Sequence, residues 1–206
     1  MELKIYYGND ISCNCYLIVD DKSAIIIDPL IKSEKLLSYL KENNIVLKAI
    51  LLTHGHYDHI KGVKTLYNNF KCPIYIHYEE EEIIRDSYKN GSFLFNDPFI
   101  LDEEIKFLDD SLIIDNFKID IIHTPFHTQG SVVYYIKDLK ALFSGDTLFK
   151  RGIGRYDLYS GNKRLISSSL NKLIALYKLE GNLKVYPGHG PSTSLKDEIK
   201  FNPYFE

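Results

Sequence analysis

The sequence predicts an α/β fold in which two β-sheets pack face to face with helices outside. Three observations carry this expectation. Short alternating or wholly apolar segments recur along the 206 residues. Helical spacing appears between these segments instead of in one block. The pattern also occurs twice, in two similar halves, and two packed sheets would bury the apolar faces of both. Periodicity alone leaves other layered α/β arrangements open.

In the first half, ELKIYY, CYLIVD and SAIIID read as strands, with Asp20, Asp21 and Lys22 turning between the second and third. SEKLLSYLKEN, residues 33–43, has apolar positions at helical spacing after a Ser33 cap. LKAILL is a strand, residues 59–70 a helix, and CPIYIH another strand. EEEEIIRDSY reads as a helix, since glutamates suit the positive end of the helix dipole. The stretch 87–100, SYKNGSFLFNDPFI, has Gly91, Pro98 and four aromatics without a period. It is either an irregular loop packing its own aromatics or a flap over a pocket.

In the second half, segments around IKFL, LIID and FKIDIIH alternate like antiparallel strands, and SVVYYI and KALFSG flank a turn at Asp138 and Leu139. Residues 162–178 form the longest amphipathic helix, LKVYPG a last strand and SLKDEIKF a last helix. One domain spanning residues 1–206 is expected.

Composition narrows the function classes. A net charge of -3 without a long basic run gives no electrostatic footprint for nucleic acid. No apolar run approaches the roughly 18 residues of a membrane span. The start, MELKIYYGND, lacks an apolar signal core, so a cytoplasmic location is expected. Cys13, Cys15 and Cys72 are an odd set and argue against a disulfide framework.

The chemistry concentrates where strands end. ILL runs into Thr53-His54-Gly55-His56-Tyr57-Asp58-His59, IDIIH into Thr124-Pro125-Phe126-His127, ALFSG into Asp146, and KVYPG into His189. Strand ends at one edge of a layered fold are where sites assemble. Imidazole and carboxylate suit zinc, and imidazole also suits iron. A His-x-His pair leaving a strand can put both rings on one side. Glycines 55, 188 and 190 allow close or left-handed backbone there. His77 is expected to cap locally and His123 to serve a structural role. Tyr57 is expected to point away and pack.

THGHYDH at 53–59, HTPFHTQGS at 123–131, FSGDTLF at 143–149 and YPGHG at 186–190, with NCYLI at 14–18 and IIIDP at 25–29, closely resemble the metallo-β-lactamase superfamily. The resemblance covers nearly the whole chain in the right order. It implies an αββα sandwich with two divalent ions, zinc first, with iron or manganese also suited. One ion would be held by His54, His56 and His127 and the other by Asp58, His59 and His189, with Asp146 bridging. Phe126 replaces a usual glycine beside the third histidine, where it would crowd the loop or line the pocket. Leu30 replaces a glycine after IDP.

These expectations define a hydrolase. A metal-bound hydroxide would attack a carbonyl, with Asp58 orienting the nucleophile. A thioester fits, because a thiolate leaves with little protonation. KRGIGRYDL, 150–158, resembles a segment of small glyoxalase II-type (hydroxyacylglutathione hydrolase-like) members and of persulfide dioxygenases. Lys150, Arg151 and Arg155 are candidates to hold a carboxylate end of a small-molecule thioester, since arginine binds carboxylates bidentately, and Tyr156 is a further candidate contact; alternatively Arg155 pairs internally with Asp157. Only 17 residues follow His189, which points to the short branch without a helical glutathione-binding domain. A mononuclear iron persulfide dioxygenase and a non-catalytic metal-binding regulator are the competing readings.

Overall fold

The computed structural model describes residues 1–8, 13–29 and 34–205. Ser33 and Leu30 lie outside them. Chain order runs β1 (Glu2–Tyr6), β2 (Cys15–Asp20), β3 (Ser23–Ile27), α1 (Glu34–Glu42), β4 (Val46–Leu51), α2 (Tyr57–Ile60), α3 (Val63–Phe70), β5 (Ile74–Ile76), α4 (Glu81–Ile84) and β6 (Ile105–Phe107). The second half contributes β7 (Ser111–Ile114), β8 (Phe117–His123), β9 (Val132–Ile136), β10 (Ala141–Gly145), α5 (Ile166–Glu180), β11 (Lys184–Pro187), β12 (Thr193–Ser194) and α6 (Leu195–Phe201). Among the described residues these strands form two six-stranded sheets, ordered β1-β2-β3-β4-β5-β6 and β12-β11-β10-β9-β8-β7.

Side-chain alternation sorts the apolar residues into three cores. Ile25 and Ile27 of β3 point between the sheets, where they meet Val132, Tyr134 and Ile136 of β9. Ala24 and Ile26 point the other way, onto Leu36, Leu40, Ile60, Val63 and Leu66 of the first helix layer. Val133 and Tyr135 of β9 face Leu170 and Leu173 of α5 and Leu195 of α6. Both faces of the central strands are thus buried, which explains why SAIII reads as one apolar run instead of alternating. The result is the αββα arrangement, with two mixed sheets.

Several boundaries differ from the sequence expectation. The helix expected over 59–70 begins at Tyr57 and breaks at Lys61–Gly62 into α2 and α3. The glutamate-rich segment makes a 3-10 turn and one turn of α-helix, because Glu80 turns inward and is fully buried instead of lying at a solvated helix end. β6 does not join the antiparallel run: it pairs parallel with β5 and completes the first sheet. The antiparallel run is β7, β8 and β9. The short edge strand β12 was not anticipated, since two residues carry no period. Among the described residues no helix is long and apolar enough to cross a membrane.

The two sheets are locked together at one edge. The Val132 N–H donates to Thr53 O at 2.9 Å, and the Tyr134 hydroxyl donates to Leu52 O at 2.6 Å. Deeper in the interface Phe143 packs edge-on to Tyr16, centroids 5.1 Å apart, and stacks on Tyr186 at 5.4 Å. Phe143→Ala is expected to cost about 3–5 kcal/mol through lost burial and the cavity left behind. The midpoint of chemical denaturation measures this, and an unmoved midpoint would show that the inter-sheet core does not depend on the ring.

Candidate metal centre

The edge where the sheets meet gathers the strand ends. β4 ends in the loop carrying His54 and His56, and α2 then presents Asp58 and His59. The turn after β8 carries His127, Asp146 follows β10, and His189 follows β11. All seven side chains converge. His127 Nε2 lies 2.9 Å from His56 Nδ1 and 3.2 Å from His54 Nε2. Asp58 Oδ2 lies 3.0 Å from His189 Nε2 and 3.6 Å from His59 Nε2. Asp146 reaches both groups: Oδ2 is 3.5 Å from His127 Nε2, and Oδ1 is 3.4 Å from His59 Nε2.

The backbone must come close for this convergence. Gly188 packs so tightly against the Asp146 carboxylate and the His59 ring that any Cβ would collide with both. Gly154 has the same relation to the Asp146 carbonyl and the His127 ring.

The ring orientations are set from behind. The Asp28 carboxylate accepts from the Thr53 N–H at 2.8 Å, from the Thr53 hydroxyl at 2.7 Å and from His59 Nδ1 at 2.9 Å. Since its proton goes to Asp28, the Thr53 hydroxyl accepts from His54 Nδ1, 3.1 Å away. His127 Nδ1 donates to the Arg155 carbonyl at 2.6 Å. These partners assign the Nδ1–H tautomer to three rings and aim each Nε2 lone pair into the cluster, the arrangement by which outer groups orient metal ligands. The GIGRYDL segment therefore acts through a backbone carbonyl.

Electrostatics divide the rings: at His59 burial is outweighed by Cys13, Asp58, Asp28 and Asp146, and at His189 by Asp58 and Asp146, which hold both above the usual imidazole range. Burial, with the neighbouring rings, pushes His54 well below the usual imidazole range and His56 down to about 3; burial also lowers His127. Neutral imidazoles with converging lone pairs are metal ligands in waiting. Burial pushes the Asp146 carboxyl up, but His59, His127 and His189 outweigh it and hold it below the usual carboxylate range. The buried His59 Nε2 and Asp146 Oδ1 have no hydrogen-bond partner among the described residues. Unsatisfied polar atoms facing one another in a buried site fit a bound ion. The residues present therefore suit a divalent cation, and the candidate ligand groups here are His54, His56 and His127; His54, His59 and Asp146; and Asp58, His59 and His189.

Glu80 braces the same loops. Its carboxylate accepts from the Gly55 N–H at 2.7 Å, the Gly130 N–H at 2.8 Å and the Thr128 hydroxyl at 2.5 Å. Burial pushes this carboxyl up to about 7, with the three donors pulling it back. Sequence reading passed over both acids. Asp28 ends the apolar strand SAIIID, the same signal that marked the other strand ends, whereas Glu80 is one of four consecutive glutamates with nothing to single it out.

The expected substrate contacts are placed differently. A cavity of about 330 Å³ opens over the cluster, lined by His56, Asp58, Asp146 and His189 on one side. Arg155 lines it, but its guanidinium is held by Asp157 at 2.7 and 2.9 Å. Lys150 is exposed and not among the lining residues, Tyr156 packs against the core under α5, and Arg151 pairs with Glu198 at 2.7 Å. Phe126 is fully buried in that same core, so it neither lines the cavity nor crowds the ligands. Tyr57 does line the cavity instead of pointing away from it. His77 accepts from the Glu79 N–H at 3.4 Å as a local cap, and His123 bonds Gln129 O at 2.8 Å.

Asp28→Asn places an amide N–H against groups that already donate, so metal affinity is expected to fall about 10–100-fold. Calorimetric titration of the metal-free protein reads this directly, and wild-type affinity in the variant would remove Asp28 from the orienting role. Glu80→Gln keeps one of the two backbone bonds and is expected to cost about 1–3 kcal/mol of stability, read from denaturant unfolding.

Comparison with known proteins agrees with this geometry. The family model described as metallo-beta-lactamase superfamily matches residues 8–189. The chain is 35% identical over 197 residues to the probable metallo-hydrolase YqgX of Bacillus subtilis, covering 94% of this chain and 92% of that protein. It is also 35% identical over 197 residues to the hydroxyacylglutathione hydrolase GloC of Haemophilus influenzae, covering 93% and 92%. Among solved structures it resembles the BLEG-1 B3 metallo-beta-lactamase, with a TM-score of 0.90, 36% identity and 99% of each chain covered. Fold, ligand constellation and relatives together show that this chain belongs to the metallo-β-lactamase superfamily.

Proposed function

We propose that the protein is a dinuclear metallohydrolase, with zinc as the resident metal, that cleaves a small thioester in the cytoplasm. One observation carries the reading: the Asp146 carboxylate spans two separate ligand triads, within 3.5 Å of a histidine in each. The likeness to a hydroxyacylglutathione hydrolase supports the thioester, and three buried cysteines suit a reducing compartment. When bound, two divalent ions would lower the pKa of water toward about 7 and polarise the acyl oxygen.

The chain's own groups organise the rest. Asp58 faces the cavity, and its Oδ2 is positioned to accept the proton of the attacking water while holding His189 in place. The water oxygen bonds to the acyl carbon, the carbon–sulfur bond breaks, and the sulfur leaves with the electron pair as a thiolate. A carboxylic acid and a thiol result. Burial of the His54, His56 and His127 rings keeps bulk water from competing for their lone pairs.

The likeness to a B3 metallo-beta-lactamase supports a second reading, opening of a β-lactam ring. That amide nitrogen leaves only with a proton, a demand a thioester does not make.

Protein purified without added metal is expected to carry about two metals per chain and to release thiol from lactoyl thioesters. Metal analysis and a thiol-reactive dye read the two outcomes. A metal-replete protein that frees no thiol would end the thioester reading; ring opening of a chromogenic cephalosporin would then favour the second. Oxygen uptake with glutathione persulfide would point instead to an iron dioxygenase. Asp146→Ala is expected to lower occupancy toward one metal and to reduce the rate together; unchanged occupancy would remove Asp146 from the bridging position.

A further inference from the structure

Residues 87–100 form a loop that is tied down at its base and apolar at its tip. Asn90 and Ser92 are buried at the base. Asn90 Nδ2 donates to Phe99 O at 2.8 Å, the Ser92 N–H to Asn90 Oδ1 at 2.8 Å, and the Phe99 N–H to Ser92 Oγ at 2.9 Å. The loop is also registered against the metal centre through Tyr57, which stands between His56 and Asp58. The Tyr57 N–H donates to Asn90 O at 2.9 Å, its hydroxyl donates to Asp97 at 2.6 Å, and its ring stacks on Phe95 at 5.5 Å.

The tip then presents Phe93, Leu94 and Phe95 at 46%, 74% and 51% exposure. A single exposed leucine means little, but a contiguous apolar patch beside a cleft marks a binding surface. Leu94 and Phe95 line the cavity over the cluster, together with Tyr57, Phe149 and Leu158.

The charges in this wall are as informative as its apolar groups. Among the described lining residues Arg155 is the one lysine or arginine, and Asp157 holds it with two hydrogen bonds. A thiol bearing free carboxylates, as glutathione does, would find no unpaired cation here. Carboxylates would gain no new ion pair from this wall, whereas an apolar arm gains burial against it.

We infer that Tyr57, Leu94, Phe95, Phe149 and Leu158 form a subsite for the thiol arm of the substrate, and that this arm is uncharged and apolar. The inference rests on the thioester reading and narrows its substrate class.

Two thioesters with the same lactoyl group separate the possibilities, one on glutathione and one on benzyl mercaptan. The benzyl ester is expected to show about 10-fold higher kcat/KM, the scale on which apolar pockets discriminate, with the difference in KM. Leu94→Ser, at an exposed position that folding does not need, should narrow that gap. Calorimetry of the metal-replete protein with free benzyl mercaptan and free glutathione reads the subsite without catalysis. If neither ester is cleaved, the thioester reading fails, and the calorimetry still decides the subsite. Tighter binding of benzyl mercaptan, weakened selectively by Leu94→Ser, supports it. Equal or tighter binding of glutathione, or a variant that weakens both thiols alike, overturns it.

Discussion

The buried carboxylate of Asp28 is the constraint on which the metal centre rests. It sits at the end of β3 with a φ of 49°, in the left-handed region, and accepts three hydrogen bonds from Thr53 and His59. Through the Thr53 hydroxyl it also sets the tautomer of His54. One anion thereby orients a ligand of each proposed metal. A buried carboxylate is costly unless satisfied, and these donors satisfy it only while β3 and β4 stay in register. Sheet pairing and ligand geometry are therefore one condition.

Glu80 does the equivalent work across the sheets. It binds the loop after β4 through Gly55 and the loop after β8 through Gly130 and Thr128. The His54–His56 pair and His127 belong to different sheets, so their spacing depends on how the sheets dock. Backbone donors from both sides, converging on one carboxylate, fix that spacing more closely than apolar packing alone, which tolerates small shifts. The glycines at 55 and 130 follow from this, because a Cβ at either would press on Glu80.

The outer part of the site follows another logic. The inner wall is made of histidines and carboxylates, whereas the outer wall is aromatic and aliphatic, and among the described lining residues its one arginine is paired with Asp157. On the proposed reading, chemistry belongs to the inner half and selection among substrates to the outer half.

How much of this was legible in the sequence depended on the range of the interaction. THGHYDH, His127, Asp146 and His189 each follow an apolar run, and strand ends advertise themselves through local pattern. The fold class was legible for the same reason, since period and order are local properties. β6 reads with the antiparallel run, although it pairs with β5, because a three-residue strand has no period that reveals its partner. Phe126 precedes the candidate ligand His127 and Tyr156 follows Arg155, yet both turn into the core under α5. Arg155 contributes its carbonyl to His127, while its guanidinium lines the cavity paired with Asp157. The sequence by itself determined which histidines and aspartates gather at the sheet edge as candidate metal ligands, and which layered fold carries them. Only the tertiary structure decided that Asp28 and Glu80 hold those residues in place, and that residues 87–100 wall the cavity. Those facts depend on contacts between segments far apart in the chain, which leave no period and no spacing to read.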